Sequence, residues 1–317
     1  YGCLVGESDP LQEVYRLIER VAAVEVPVLI EGETGTGKDL VAKAIHQQSP
    51  RASGPYVPVN CAAIPTTLLE SELFGYASGA YTGARKQHDG LLINADNGTL
   101  VLDEVGEMDM ENQTKLLRVL EDQKVRRVGD NKSVPVDVRI LAASNQALEQ
   151  KCETGTFRWD LYYRLNVVPI HVPALRQRMD DVPLLIEHFC TLQTEKSGRA
   201  ITCSDDAKEA LLSYGWPGNI RELQNAIACA ATLSDNGDIR VKDLPPNVRE
   251  RAQGANIADT EEEQLVRQGV SLHTYLQERE RKYIQQVIDR TSGDMTQAAD
   301  LLGISRATLY RKLSADT

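Results

Sequence analysis

"GETGTGK", residues 32–38, decides how the rest of this 317-residue chain reads. It follows the apolar run "VPVLIE" (26–31), which has the length and composition of a strand, and it opens a helical pattern over 39–47. A strand, a glycine-rich turn and a helix in that order are the context a phosphate-binding loop needs. The glycines let backbone N–H groups turn inward onto phosphate oxygens at the positive end of a helix. Lys38 adds a point charge for the β- and γ-phosphates. An ordinary glycine-rich turn has the same letters, and the flanking strand and helix tell the two apart. Gly32, Glu33, Thr34, Gly35, Thr36, Gly37 and Lys38 are therefore candidate nucleotide-binding residues. The generic pattern places Ser or Thr after the lysine to help hold Mg²⁺. Here Asp39 stands there, and it is counted with the same site.

Outward from this loop, short apolar runs alternate with helical patterns. "YVPVN" (56–60), "GTLVLDE" (98–104), "VDVRILAAS" (136–144) and "VVPIHV" (167–172) read as further strands, with helices between them, such as 11–22. Such alternation predicts an α/β domain whose mostly parallel sheet is covered on both faces. From about 180 to 243 the pattern turns helical, with apolar residues three and four apart in "DDVPLLIEHFCTLQ", "SDDAKEALLSY" and "NIRELQNAIACAATL". The polar stretch "PPNVRERAQGANIADTEEEQLVRQG" has no sustained period and reads as a linker. The predicted organisation is an α/β nucleotide-binding unit over 1–175, a helical lid over 176–248, a linker over 249–271 and a small all-α domain over 272–317.

The totals bound the function. No run of 18 apolar residues exists, which argues against a membrane-spanning helix. The six cysteines are scattered, with no C-x-x-C pair, so reduced cytoplasmic thiols fit better than a disulfide framework or a zinc site. The five histidines suggest no metal site either. The net charge of −11 argues against nucleic acid binding over the whole surface. The charge is uneven, however: residues 273–317 hold seven Lys/Arg and six Asp/Glu, a net of +1, which leaves −12 on the remainder. The first residues lack the basic start and apolar run of a signal peptide. There is no initiator Met, and an upstream regulatory segment, a phosphorylation receiver or a ligand domain, is expected.

Two carboxylates end the strand "TLVLDE". Asp103 can hold Mg²⁺, directly or through water, and Glu104 can polarise a water for attack on the γ-phosphate. A strand that stops at a charged turn looks the same in isolation, and the phosphate loop is what gives the pair its meaning. Asn145, after "RILAAS", can orient the attacking water or sense the γ-phosphate. Asn60, at the end of "YVPVN", can hold Glu104 in one of two positions. Each asparagine alone is a common turn residue.

The segment "GYASGAYTGARKQHDG" (75–90) has neither helical nor strand periodicity, and its centre sets one aromatic, Tyr81, among small residues. Here a resemblance becomes specific. "GETGTGKD", "ESELFG", "GAYTGA", "ADNGTLVLDEVGEM", "FRWDLYYRLNV" and "WPGNIRELQN" occur in that order. Together they closely resemble the AAA+ domain of bacterial enhancer-binding proteins, the activators of sigma-54 RNA polymerase, over about residues 4–248. That family usually has Glu at the position of Asp39 and Phe at that of Tyr81. The resemblance implies that Gly79, Ala80, Tyr81, Thr82, Gly83 and Ala84 contact the sigma factor. It implies that Arg158 and Arg164 reach the γ-phosphate of a neighbouring subunit, where an arginine in trans stabilises the transferring group. It also makes Arg221 the sensor arginine of the lid, and "VRRVGDNKSVPVDV" a second pore hairpin turning at Gly129–Asp130–Asn131.

The last stretch, "MTQAADLLGISRATLYRKL" (295–313), reads as helix, tight turn, helix. Ala298, Ala299 and Leu302 share one face, Gly303 supplies the turn, Ser305 caps the second helix, and Leu309 and Leu313 face inward. Arg306, Thr308, Tyr310, Arg311 and Lys312 are left for DNA, with the second helix in the major groove. A helical hairpin that merely packs is the plainer reading. The segment resembles the Fis-type DNA-binding domain that ends many of these activators. An apolar stripe at 272, 276, 283, 284, 287 and 288 can pair with its copy in a dimer. The function expected is an ATP- and Mg²⁺-dependent activator that binds double-stranded upstream DNA, assembles from dimer to hexameric ring, and remodels the closed complex of sigma-54 RNA polymerase holoenzyme in the cytoplasm. The alternatives are a DNA-binding regulator that uses ATP only as an assembly switch, and a general AAA+ unfoldase or helicase.

Overall fold

A computed structural model describes residues 4–80 and 86–250, the backbone of 251 and 252, and six later positions: Ile284, Thr291, Met295, Gln297, Leu301 and Gly303. Its first 253 residues form one compact unit and residues 254–317 a second. In chain order the first unit holds α1 (Asp9–Ala22), β1 (Val28–Glu31), α2 (Lys38–Gln47), β2 (Tyr56–Asn60), α3 (Thr66–Phe74), β3 (Gly75–Tyr76) and β4 (His88–Asp89). There follow α4 (Leu91–Asn94), β5 (Thr99–Asp103), α5 (Met110–Asp122), β6 (Lys124–Arg126), β7 (Ser133–Pro135), β8 (Arg139–Ser144), α6 (Leu148–Glu153), α7 (Trp159–Leu165) and β9 (Val168–His171). The lid adds α8 (Val182–Ser197), β10 (Thr202–Cys203), α9 (Asp205–Ser213), α10 (Asn219–Leu233), β11 (Asp238–Ile239) and α11 (Pro246–Ala252).

The five apolar runs pair in parallel, in the order β2-β5-β8-β1-β9. Strand β8 is central and wholly buried, as a strand covered on both faces must be. Pro58 and Pro169 fall in the two edge strands, β2 and β9, where a missing N–H is tolerated. Successive side chains divide between two cores. Leu29, Leu100, Leu102, Ile140 and Ala142 share one with residues of α3, α5, α6 and α7. Val28, Ile30, Val101, Leu141 and Ala143 share the other with residues of α1 and α2. Strand β8 starts at Arg139 and not at Val136, because the N–H groups of Val136 and Asp137 bond elsewhere, to Gln123 O (2.9 Å) and Asp96 Oδ1 (2.7 Å).

Register then aligns the strand ends. Asn60 stands opposite Asp103, and Glu31 opposite Ser144, so Gly32, Asn60, Asp103 and Asn145 emerge along the carboxyl edge of one sheet. In open parallel sheets this is where ligands bind.

The lid has a core of its own, built around Trp216 with Leu185, Phe189, Leu211, Leu223 and Ile227. Helix α11 carries this unit past residue 248, where a linker was expected to begin. The sequence there is polar, but Val248 is buried in the lid core, and one such anchor is too little to give a visible period. In the second unit, Met295, Gln297 and Leu301 are helical and Gly303 makes a turn at φ +65°. Ala298, Ala299, Leu302, Leu309, Leu313 and most of the expected linker and dimer stripe lie outside the described residues.

Leu141 is fully buried in the central strand. Leu141→Ala is expected to lower the unfolding free energy by about 2–5 kcal/mol, as truncation of a buried leucine typically does. Urea denaturation followed by circular dichroism measures this; a change below about 1 kcal/mol would contradict the packing described.

Candidate active site

The phosphate loop leaves β1 at Gly32, whose N–H donates to Ser144 O of the neighbouring strand at 3.2 Å. Gly35 (φ +80°) and Gly37 (φ +97°) adopt left-handed backbone that glycine tolerates best. Gly35 also meets a spatial limit: a Cβ there would lie 2.5 Å from Gly218 O. Lys38 begins α2 and is buried. Its Nζ donates to Gly32 O (2.8 Å) and Glu33 O (3.3 Å) and lies 4.0 Å from Glu104 Oε1. Burial lowers the pKa of Lys38, while the charges of Glu104 and then Asp103 act to raise it. Thr36 is buried, with its hydroxyl on Glu33 O at 2.8 Å, whereas Thr34 and Asp39 are exposed.

Asp103 ends β5 and Glu104 follows in a left-handed turn at φ +52°. This conformation is uncommon outside glycine and is found where function constrains the backbone. Glu104 Oε2 accepts from the N–H of Asn145 at 3.1 Å, and Asn145 Nδ2 donates to Thr34 Oγ1 at 3.2 Å. Asn145 thus joins the carboxylate pair to the phosphate loop. Asn60 does not hold Glu104 as expected. Register sets it beside Asp103, and its Nδ2 donates to Asp103 Oδ2 at 2.9 Å while its Oδ1 accepts from Ala62 and Ala63 N–H.

The chemistry of Asp103 fits a hard cation. Its oxygens receive single bonds from two neutral donors, Asn60 Nδ2 and the Glu104 N–H, which leaves lone pairs for Mg²⁺ or its water. Among the described residues no group of three or more His, Cys, Asp or Glu is placed to hold a metal ion, so phosphate oxygens and water would complete the shell.

The lid closes the other side. Arg221 on α10 is exposed, and it lines a cleft of about 550 Å³ with Glu33, Thr34, Asn145 and Gly218. Three lid-side residues that sequence reasoning missed also reach the loop. Arg176 makes a two-pronged ion pair with Glu33, and Asn219 Nδ2 adds a bond to the same carboxylate. These partners, Arg176 first, hold the Glu33 carboxyl down to about 2. Buried Arg178 donates to Thr36 O at 2.9 Å.

Other expected residues stand apart. Arg158 stands just before α7, and its side chain pairs with Asp160 of its own chain at 2.6 Å. Arg164, on the same helix, is exposed and forms no ion pair among the described residues. Strands β6 and β7 form the expected antiparallel hairpin around Gly129 (φ +74°). Its Val128 exchanges backbone bonds with Gly75 (2.9 Å) and Ala77 (3.0 Å), at the root of the segment that carries Gly79 and Ala80. Tyr81, Thr82, Gly83 and Ala84 lie outside the described residues, as do Ser305, Arg306, Thr308, Tyr310, Arg311 and Lys312. Among the described residues no helix is long and apolar enough to cross a membrane.

Three family models match the chain: the sigma-54 interaction domain over residues 4–171, the AAA+ ATPase lid domain over 176–261, and the Fis family of bacterial regulatory proteins over 275–315. The nitrogen fixation protein AnfA of Azotobacter vinelandii is 45% identical over 307 residues, which cover 96% of this chain and 56% of AnfA. The transcriptional regulatory protein ZraR of Escherichia coli is 44% identical over 312 residues, covering 98% of this chain and 68% of ZraR. The chain thus spans little more than half of AnfA's length and about two thirds of ZraR's. The crystal structure of NtrX from Brucella abortus in complex with ATP is similar with a TM-score of 0.73 and 38% identity, over 98% of this chain and 69% of NtrX. The chain belongs to the sigma-54-dependent family of transcriptional activators, with an AAA+ P-loop ATPase domain and a Fis-type helix-turn-helix domain.

Proposed function

We propose that this chain hydrolyses ATP to remodel the closed complex of sigma-54 RNA polymerase holoenzyme, acting from an upstream DNA site. The observation that carries the ATPase half is the meeting of Lys38, Asp103, Glu104 and Asn145 at one sheet edge. Phosphates fit against the loop 32–38, where Lys38 supplies the cation for the β- and γ-oxygens. When bound at Asp103, Mg²⁺ draws charge from those oxygens. Glu104 is the base that polarises the attacking water, and Asn145 holds it in place through its backbone N–H. Arg221 supplies charge from the lid. ATP in the related NtrX supports this reading.

Arg158 and Arg164 serve the active site of the next copy, so the ring, a hexamer by family likeness, is the catalytic unit. The loop with Tyr81 is the contact with the sigma factor. Ser305, Arg306, Thr308, Tyr310, Arg311 and Lys312 form the DNA-reading surface of a cytoplasmic regulator. The 254–317 unit supports this, since the Fis family match, residues 275–315, covers its carboxy-terminal part.

Lys38→Ala is expected to abolish ATP binding. Glu104→Gln is expected to bind ATP yet slow hydrolysis by about a hundredfold or more. Equilibrium binding and phosphate release distinguish the two, and a normal rate for Glu104→Gln would remove its catalytic role.

Arg158→Ala and Arg164→Ala are each expected to cut hydrolysis by about a thousandfold in folded protein. Mixing Arg164→Ala with Lys38→Ala subunits should restore part of the rate, because some interfaces then join an intact loop to an intact arginine. No rescue, in rings shown by mass spectrometry to be mixed, would exclude action in trans.

Tyr81→Ala should keep ATP hydrolysis but lose sigma-54 binding and promoter opening, whereas Tyr81→Phe should keep all three. A core aromatic would instead cost about 3–5 kcal/mol on truncation and damage folding and hydrolysis together. Melting temperature, ATPase rate and open-complex yield decide this. Promoter opening by Tyr81→Ala at the parent level would end the contact-loop reading.

A further inference from the structure

The phosphate loop is not held by its own bonds alone. Three successive carbonyls along it are taken by donors from the lid side: Thr34 O by Asn219 Nδ2 (3.1 Å), Gly35 O by the Ile220 N–H (3.0 Å), and Thr36 O by Arg178 Nη2 (2.9 Å). A peptide unit is planar and trans, so fixing a carbonyl on one side turns the following N–H to the other. The donors that hold Thr34 O and Thr36 O therefore set the direction of the Gly35 and Gly37 N–H groups.

Asn219 is the junction of this arrangement. It is fully buried and left-handed at φ +55°. Its Nδ2 also reaches Glu33 Oε2 (3.2 Å), and its Oδ1 accepts from the Leu175 N–H (2.8 Å), so one amide joins the lid helix, the loop and the strand-to-lid connection. Arg176 grips the same Glu33 carboxylate from that connection.

We propose that Asn219, backed by Arg176 and Arg178, is a clamp through which the lid sets the shape of the phosphate loop and thereby its affinity for a nucleoside triphosphate. The inference rests on the nucleotide-site reading above. These are positioning residues: they bear on the nucleotide through the loop. A lid that swings away withdraws three carbonyl donors together, so lid position and phosphate affinity become one variable.

The test measures binding of a fluorescent ATP analogue with Mg²⁺, the ATPase kcat and KM, and the melting temperature, on the full chain. Asn219→Gly keeps the left-handed backbone and removes only the amide. It is expected to weaken ATP binding by about tenfold and to raise KM in step, with kcat changed by less than about threefold. Asn219→Asp places a second carboxylate against Glu33. Its affinity should be poor at pH 7 and recover toward pH 5, because the protonated acid regains one donor, whereas the parent should show no such recovery. Asn219→Gly that binds ATP within about twofold of the parent overturns the clamp. If Asn219→Gly does not fold, Arg176→Gln at its half-exposed site decides: about threefold weaker binding supports the proposal, and unchanged binding overturns it. Lys38→Ala is the control. Binding by it equal to the parent's would refute the nucleotide site, and the clamp with it. Lys38-dependent binding insensitive to both variants refutes the clamp alone.

Discussion

Parallel pairing in fixed register is the constraint from which the site follows. Four strand ends carry Gly32, Asn60, Asp103 and Asn145, from parts of the chain up to 113 residues apart. The Glu31–Ser144 and Asn60–Asp103 partnerships bring them to one edge. A slip of one residue in β5 would turn its side chains to the opposite faces and carry Asp103 away from Asn60. The two cores on either side of the sheet resist such a slip, because β1, β5 and β8 alternate between them. Packing deep in the domain thus fixes geometry at its rim.

Electrostatics at that rim is a balance of burial and pairing. Lys38 is almost wholly buried, which disfavours its charge, yet Glu104 and Asp103 stand close enough to support it. Its bonds to Gly32 and Glu33 carbonyls orient the ammonium before any phosphate arrives. The left-handed turn at Glu104 has a similar sense. It bends the carboxylate back toward Asn145 and Lys38, where an extended residue would continue the strand.

Much of this was legible in the sequence, and the reasons are physical. The strands showed as apolar runs because a parallel sheet buried on both faces needs them. The loop showed because its glycines meet two strict demands, positive φ at Gly35 and Gly37 and close approach to Gly218 at Gly35. What did not show depends on contacts between distant segments. Asn219 and Glu33 are 186 residues apart, and Arg178 and Thr36 are 142 apart, so no spacing rule joins them. Asn60 was identified as a site residue, but its bond to Asp103 was not foreseen, because the choice between Asp103 and Glu104 rests on register and on one backbone angle. Helix α11 was missed because a single buried valine leaves no period to read.

The prolines of the two edge strands have a consequence beyond the fold of one copy. A sheet with open margins is a template for another chain, and stacking by strand addition leads to fibres. Pro58 and Pro169 interrupt the row of donors on the outermost strands, β2 and β9. In the ring proposed above, such margins resist open-ended stacking and leave the joining of copies to surfaces with a defined geometry and a finite number of partners.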